Sequence, residues 1–316
     1  MRRLRRYRSV SGNDEAAALS DAWCEYISPV GYSPNRFVRT QMNQSVEFPS
    51  KILRINGFTM NVIDVGEGGP VLLVHGFPDT HAVWRHQIPA LVAAGYRVIA
   101  PDTRGCGESE LLPNVFDYRI EHLIADLAAL LDALGIDKAK LVAHDWGAVI
   151  CWQFVMGHPG RVERYVALSV GHPSAYGSGG IAQKLKGYYV VLFQLRGFAE
   201  WLLRLGNWYL FGLFTGFPEE LPHWRKLLAR PGRLTAGINY YRANLQLILP
   251  REYPRVTVPV TGIYSDGDRF LTEGQMTGSA RYCAAGFRYL HVSGANHWMQ
   301  LHAPEKVTPL ILDTLR

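Results

Sequence analysis

Lys140-Leu141-Val142-Ala143-His144-Asp145-Trp146-Gly147-Ala148-Val149-Ile150 is the stretch on which the reading of this chain turns. Lys140 to Val142 is strand-like, and the run from Ala148 to Phe154 is helix-like. Ala143 and Gly147 stand two residues to either side of Asp145, the small-x-nucleophile-x-small pattern of a nucleophile elbow. Such a sharp turn needs small neighbours, because a bulky side chain there collides with the crossing backbone. The tip is a carboxylate rather than Ser or Cys. That points to attack on an alkyl carbon and an ester intermediate. The competing reading is an Asp that N-caps a helix after a buried strand.

Outward from this stretch, strands alternate with helices. Lys51 to Ile55 and Thr59 to Ile63 read as a hairpin turning at Asn56-Gly57. Val71-Leu72-Leu73-Val74 is a continuous apolar run of the kind buried in parallel sheets, and His75-Gly76-Phe77-Pro78 follows at its C-terminal end. A glycine there lets the backbone aim an amide into a pocket. Phe77 is the candidate donor, and the Phe77–Pro78 bond is a candidate cis peptide. A helix over 83–94, a strand at Arg97 to Ala100, a helix over 118–134 ending at Gly135, the elbow strand and helix, and a strand at Tyr165 to Val170 follow. Asp102 and Arg104 lie in a Gly-rich turn that lacks a phosphate-loop ending; they read as a structural pair. Residues 174–250 are helical and aromatic, a lid inserted over the sheet edge. Strands return at Val258 to Tyr264 and Phe287 to Val292, and a helix over 304–315 closes the chain. The fold class is α/β, a mostly parallel sheet with helices on both faces. The domains are an N-terminal tail at 1–47, a core at 48–173 and 251–316, and the lid at 174–250.

The chain has 316 residues, 48% of them hydrophobic, and a formal charge of +6. Arg2, Arg3, Arg5, Arg6 and Arg8 account for five of those charges, so the folded part carries no basic footprint for nucleic acid. Polar residues follow the arginines, so neither a secretory signal nor a membrane-spanning helix is read. A short helix is expected from Glu15 to Tyr26. Cys24, Cys106, Cys151 and Cys283 have neither zinc nor redox spacing. No metal or cofactor is expected, and reduced buried thiols suit a cytoplasmic protein.

A carboxylate nucleophile needs a base that delivers water to its ester and an acid that orients that base. Asp266 and Asp268 follow one late strand and His297 follows the next, in the order nucleophile, acid, histidine used by α/β-hydrolases. His144 abuts the nucleophile, with its side chain expected to project away. His291 and His302 read as structural.

With these residues assembled, the chain resembles the α/β-hydrolase-fold epoxide hydrolases over roughly residues 48–316. The resemblance rests on His75-Gly76-Phe77-Pro78, His144-Asp145-Trp146-Gly147 and Gly294-Ala295-Asn296-His297-Trp298. Two lid segments add to it. Tyr189-Val190-Val191-Leu192-Phe193-Gln194 is similar to the family's Tyr-x-x-x-Phe-Gln, and Asn239-Tyr240-Tyr241-Arg242 to its Asn-aromatic-Tyr-Arg. The resemblance implies that Tyr189 and Tyr241 hold the epoxide oxygen, with Tyr188 and Tyr240 as adjacent substitutes. It also implies that Asp268 is the acid, since Ser265-Asp266-Gly267-Asp268 resembles the family's Gly-x-x-Asp, leaving Asp266 as a turn residue. Tyr264 departs from the pattern, where Gly is commoner. Phe77 and Trp146 supply the oxyanion-hole amides and, with Tyr188, Tyr240 and Trp298, line the substrate site. The expected partners are a hydrophobic epoxide and water. A homodimer is compatible with the resemblance, whereas nucleic acid and stable membrane insertion are not expected.

Haloalkane dehalogenases also place Trp after the nucleophile. They carry a second halide donor where Phe77-Pro78 stands, and they lack the tyrosine pair. Fluoroacetate dehalogenases follow the nucleophile with Arg, unlike Trp146. A non-catalytic ligand sensor on the same fold usually loses part of the triad or lid, whereas every such position here holds a competent residue.

Overall fold

Val71-Leu72-Leu73-Val74 has no water-tolerant side, so it is stable as a strand only where both faces are covered. In the computed structural model, which describes residues 48–249 and 251–316, these four side chains are fully buried near the middle of an eight-stranded sheet. The arginine arm and the helix expected from Glu15 to Tyr26 lie outside the described residues. The strands are β1 (Ser50–Ile55), β2 (Phe58–Val65), β3 (Gly69–Val74), β4 (Tyr96–Pro101), β5 (Ala139–His144), β6 (Val162–Leu168), β7 (Val260–Gly267) and β8 (Phe287–Asn296). Their spatial order is β1-β2-β4-β3-β5-β6-β7-β8. β2 is antiparallel to both β1 and β4, and the remaining neighbours are parallel.

The helices are α1 (Gln87–Ala93), α2 (Ile120–Ala133), α3 (Trp146–Gly157), α4 (Gly180–Lys186), α5 (Tyr188–Leu192), α6 (Phe198–Thr215), α7 (Leu221–Leu228), α8 (Arg233–Ala243), α9 (Glu273–Gly278), α10 (Met299–His302) and α11 (Pro304–Leu315). α2 and α3 pack together, as do α1 and α11. The hairpin turns at Asn56 (φ 47°) and Gly57 (φ 89°), which pairs Ile55 with Phe58. Two left-handed residues match the twist of the flanking strands, and Asn-Gly is the pair that adopts them most readily.

The single helix expected over 83–94 is instead a short 3-10 turn, His81–Trp84, followed by α1. Pro89 is the reason. It has no N–H to bond the carbonyl of Arg85, so a continuous helix would lose a rung there. Thr80 caps the first turn by accepting from the Ala82 amide at 3.3 Å.

Between β6 and β7 the strand–helix alternation stops, and α4 to α8 follow without a strand. Phe193, Phe211 and Trp224 from this insertion are fully buried. α6 bends where Gly206, Asn207 and Trp208 leave the helical region, with φ of 61°, 57° and 74°. Among the described residues no helix is long and apolar enough to cross a membrane.

Candidate active site

β3, β5, β7 and β8 are parallel, so their C-terminal ends share one edge, where open α/β sheets gather ligand chemistry. The edge brings together Phe77 after β3, Asp145 after β5, Asp268 after β7 and His297 after β8. Asp145 adopts φ 52°, ψ −125° and makes no side-chain capping bond to α3. The N-cap reading therefore fails. Its Oδ1 instead accepts from the backbone amide of Phe77 at 2.8 Å.

Two glycines make this approach available. A Cβ on Gly147 would lie 2.1 Å from the Val74 carbonyl oxygen, and one on Gly76 would lie 2.3 Å from Asp145 Oδ1. Both separations are far inside van der Waals contact, so the crossing of the two strand ends admits no side chain at either position. The Phe77–Pro78 peptide is cis.

His297 Nδ1 donates to Asp268 Oδ2 at 2.8 Å, and its Nε2 lies 3.5 Å from Asp145 Oδ2. Asp268 Oδ1 accepts from the amides of Phe270 (2.8 Å) and Leu271 (2.9 Å). Asp266 is not a turn residue: it lies within β7, near its end, where its Oδ1 accepts from Gly294 N at 2.8 Å.

Burial pushes the Asp145 carboxyl up, but His297, His144 and the Trp146 amide outweigh it and hold the pKa below its usual value. Asp268 is held down in the same way, by His297 and the two amides against its own burial. Burial depresses His297, yet Asp268 and Asp145 together push it up to about 10. At neutral pH the imidazolium therefore lies between two carboxylates.

Tyr189 and Tyr241 come from different helices, and their rings meet at 5.7 Å across the site. Both line a small cavity with Asp145 and His297. Burial and the Asp145 charge raise both phenols well above their ordinary value, so both are neutral donors. Polar partners hold the two helices in this relation. Gln194 Nε2 donates to Val190 O at 3.0 Å and Tyr241 O at 3.4 Å. Arg242 donates to Phe193 O at 2.8 Å and forks onto Glu200 at 2.7 and 3.0 Å.

Trp146 packs its ring edge-on to Tyr241 at 5.1 Å, and Trp298 lies 4.9 Å from the His297 ring. Phe77 and Trp298 line the cavity. Tyr188 does not: it is 62% exposed, because on the short α5 it points away from its neighbour Tyr189. Tyr240 does not either. Its hydroxyl donates to Arg104 O at 2.8 Å and sits 2.9 Å from Thr103 Oγ1, beneath the site. Asp102 and Arg104 do not pair. Asp102 accepts from His81 Nδ1 at 2.8 Å, and Arg104 bonds Asp126.

Three supports escaped the sequence reading. His144 is a structural histidine that supports the base: its ring packs 4.6 Å from that of His297 and its Nε2 bonds the His297 carbonyl at 2.9 Å. Burial drops its pKa to about 3, so it stays neutral. Asp79 accepts from the indoles of Trp224 (2.7 Å) and Trp298 (2.9 Å), which locks the ring under His297. Lys186, at the end of α4, donates to Asp268 O and to Leu271 O (2.8 Å), tying the insertion to the acid loop. Only Asp79, directly after Gly76-Phe77-Pro78, offers a trace of this in the sequence, and it has no spacing to the tryptophans.

The model for the alpha/beta hydrolase fold family matches residues 69–304. The chain is 33% identical over 281 residues to the AB hydrolase superfamily protein YfhM of Bacillus subtilis, covering 84% of this chain and 97% of that one. It is 33% identical over 304 residues to epoxide hydrolase 2 of Siraitia grosvenorii, covering 83% of this chain and 96% of that one. Among solved structures, epoxide hydrolase VrEH1 from Vigna radiata matches with a TM-score of 0.75 at 30% identity, covering 86% of this chain and 99% of that one. Sequence, fold and the placement of these residues agree: the chain belongs to the epoxide hydrolases of the α/β-hydrolase fold.

Proposed function

We propose that this chain hydrolyses a hydrophobic epoxide to a vicinal diol through a covalent ester on Asp145. The observation that carries the reading is the meeting in one cavity of an ionised Asp145, the His297–Asp268 pair and two neutral phenols. The helical insertion acts as a lid that supplies the phenols.

Tyr189 and Tyr241 bind the ring oxygen. Asp145 Oδ2 attacks a ring carbon while Oδ1 rests on the Phe77 amide. The carbon–oxygen bond of the ring breaks, and a phenol delivers its proton to the departing alkoxide. Such a general acid is worth about 10²–10⁴ in rate. The imidazolium of His297 then reprotonates the phenolate.

Esterification removes the Asp145 charge, one of the two that hold His297 protonated. The neutral imidazole, oriented by Asp268, can now take a proton from water. Hydroxide adds to the ester carbonyl, and the oxyanion falls on the amides of Phe77 and Trp146, each donor worth about 3 kcal/mol in such sites. Collapse expels the diol alkoxide, which takes the proton of the new Asp145 carboxyl. The carboxylate and the imidazolium are both restored. A halide leaving group would need no phenol, and the turn at Phe77-Pro78 offers no second side-chain halide donor.

His297→Gln tests the scheme. Alkylation should proceed and hydrolysis should stall, so the intact mass should rise by that of the epoxide, with the adduct on the peptide containing Asp145. An unmodified Asp145 peptide after prolonged treatment would sink the mechanism.

A further inference from the structure

Two cavities meet at Asp145, Tyr189 and Tyr241. The one beside His297 is lined by Phe214, Phe270 and Trp298 and holds about 10 Å³, room for one water-sized group. The other runs along α3 and holds about 120 Å³. Asp145, Trp146, Val149 and Gln153 line it from one face of that helix. At about 1.5 Å per residue, Gln153 lies about 12 Å along the axis from the nucleophile.

Two side-chain amides line this larger cavity, and they differ. Asn244 is fully engaged: Oδ1 accepts from Ile120 N at 2.7 Å, and Nδ2 donates to the carbonyls of Tyr118 and Tyr240 at 2.8 Å each. Gln153 Nε2 is buried with no acceptor. A half-turn of the amide exchanges its two ends, so the donor can be presented to the cavity. Asp145 is the only charged residue in the lining among the described residues. An anionic group brought here would lose its water with no cation to replace it.

We propose that the larger cavity takes one substituent of the epoxide, and that Gln153 recognises a neutral hydrogen-bond acceptor, such as an ester or ketone carbonyl, at the end of it. This rests on the epoxide hydrolase reading of the same site and names its substrate class. The side chain of Gln153 leans back toward the helix N-terminus, so the apolar spacer is about six to nine bonds long. The unequal cavities assign the small or unsubstituted ring carbon to the His297 side.

Three probes test this: a terminal epoxide with a straight chain ending in a methyl ester about eight bonds away, its free acid, and the alkyl epoxide of equal length. In the wild type, kcat/KM for diol formation should favour the ester over the alkyl epoxide by about tenfold, the size of one hydrogen bond to a buried donor. The difference should lie in KM, and the acid should be poorest. Gln153→Leu should bring the ester-to-alkyl ratio to about one, and Gln153→Met serves the same purpose if the branched side chain does not pack. A ratio unchanged by these substitutions, or a preference for the acid, overturns the inference while leaving epoxide hydrolysis standing. No diol from any probe overturns the epoxide reading itself, and this inference with it.

Discussion

Asp145 holds a conformation, φ 52°, ψ −125°, that a residue with a Cβ normally avoids. Such positions cost on the order of 1–3 kcal/mol and persist where their surroundings leave no other choice. Here the Phe77 amide takes one carboxylate oxygen and Gly147 lets the helix start beneath the Val74 carbonyl. The two phenols share a cavity with this carboxylate, and the proposed mechanism has both of them hold the ring oxygen. Tyr189→Phe and Tyr241→Phe should each lower kcat/KM about 10- to 100-fold, and the double variant should approach 10⁴-fold. Steady-state diol formation measures this. A double variant no worse than one single variant would remove one phenol from the role. Tyr240→Phe should act differently, as a loss of stability through its bond to Arg104 O, with KM little changed.

At the scale of elements, the site depends on bonds between helices that are made away from the reacting atoms. α8 carries Tyr241 and, one residue on, Arg242, whose guanidinium is 4% exposed and forked onto Glu200 of α6. Burial works against the Glu200 carboxylate, but Arg242 holds its pKa below the usual value. Removing Glu200 leaves a buried guanidinium without its counter-charge, a loss of about 3–5 kcal/mol. Urea unfolding of Glu200→Ala should show that loss, and Glu200→Gln, which keeps one acceptor, should lose less. The motif residues Gln194 and Arg242 were legible in the sequence as markers of the family. Their reason was not, because a bond from Gln194 to the Tyr241 carbonyl joins positions 47 apart.

At the scale of the molecule, buried charge sets the response to acid. Asp102 is fully buried and ties β2 and the turn at His81 to its own loop: it accepts from His81 N and Nδ1 (2.9 and 2.8 Å), Asn61 Nδ2 (2.9 Å) and Glu108 N (3.0 Å). Burial alone would raise its pKa, but His81 and His75 bring it down to about 2. A carboxyl whose folded value is depressed stabilises the fold above its unfolded value, near 3.8, and loses that contribution as pH falls toward 2. The amount is about 2–3 kcal/mol. Denaturant unfolding at pH 7, 4 and 3 should show the wild type weakening across that window. Asp102→Asn should be weaker at pH 7 and should lose less across that window than the wild type, the remaining loss coming from other depressed carboxyls, among them Asp145, Asp268 and Glu200. An equally steep acid limb in the variant would assign the acid sensitivity elsewhere.

The sequence by itself determined what local chemistry and periodicity carry. The apolar run of β3, the Asn-Gly hairpin and the small residues about Asp145 each follow from backbone sterics or from burial of both strand faces. The order of Asp145, Asp268 and His297 was legible because each follows its own strand, and parallel strands bring their ends to one edge. Pro89, also visible in the sequence, broke a helix that apolar spacing alone suggested. The lid motifs named Tyr189 and Tyr241; only the tertiary structure decided that their neighbours Tyr188 and Tyr240 face elsewhere. Adjacent helical residues differ by about 100° in direction, and the packing of α5 and α8 against the core sets the origin of that rotation. The same holds for His144 under His297, for Asp79 between two indoles, and for Arg104 choosing Asp126 over Asp102. Each joins residues far apart in the chain through side-chain directions that the packed core alone specifies.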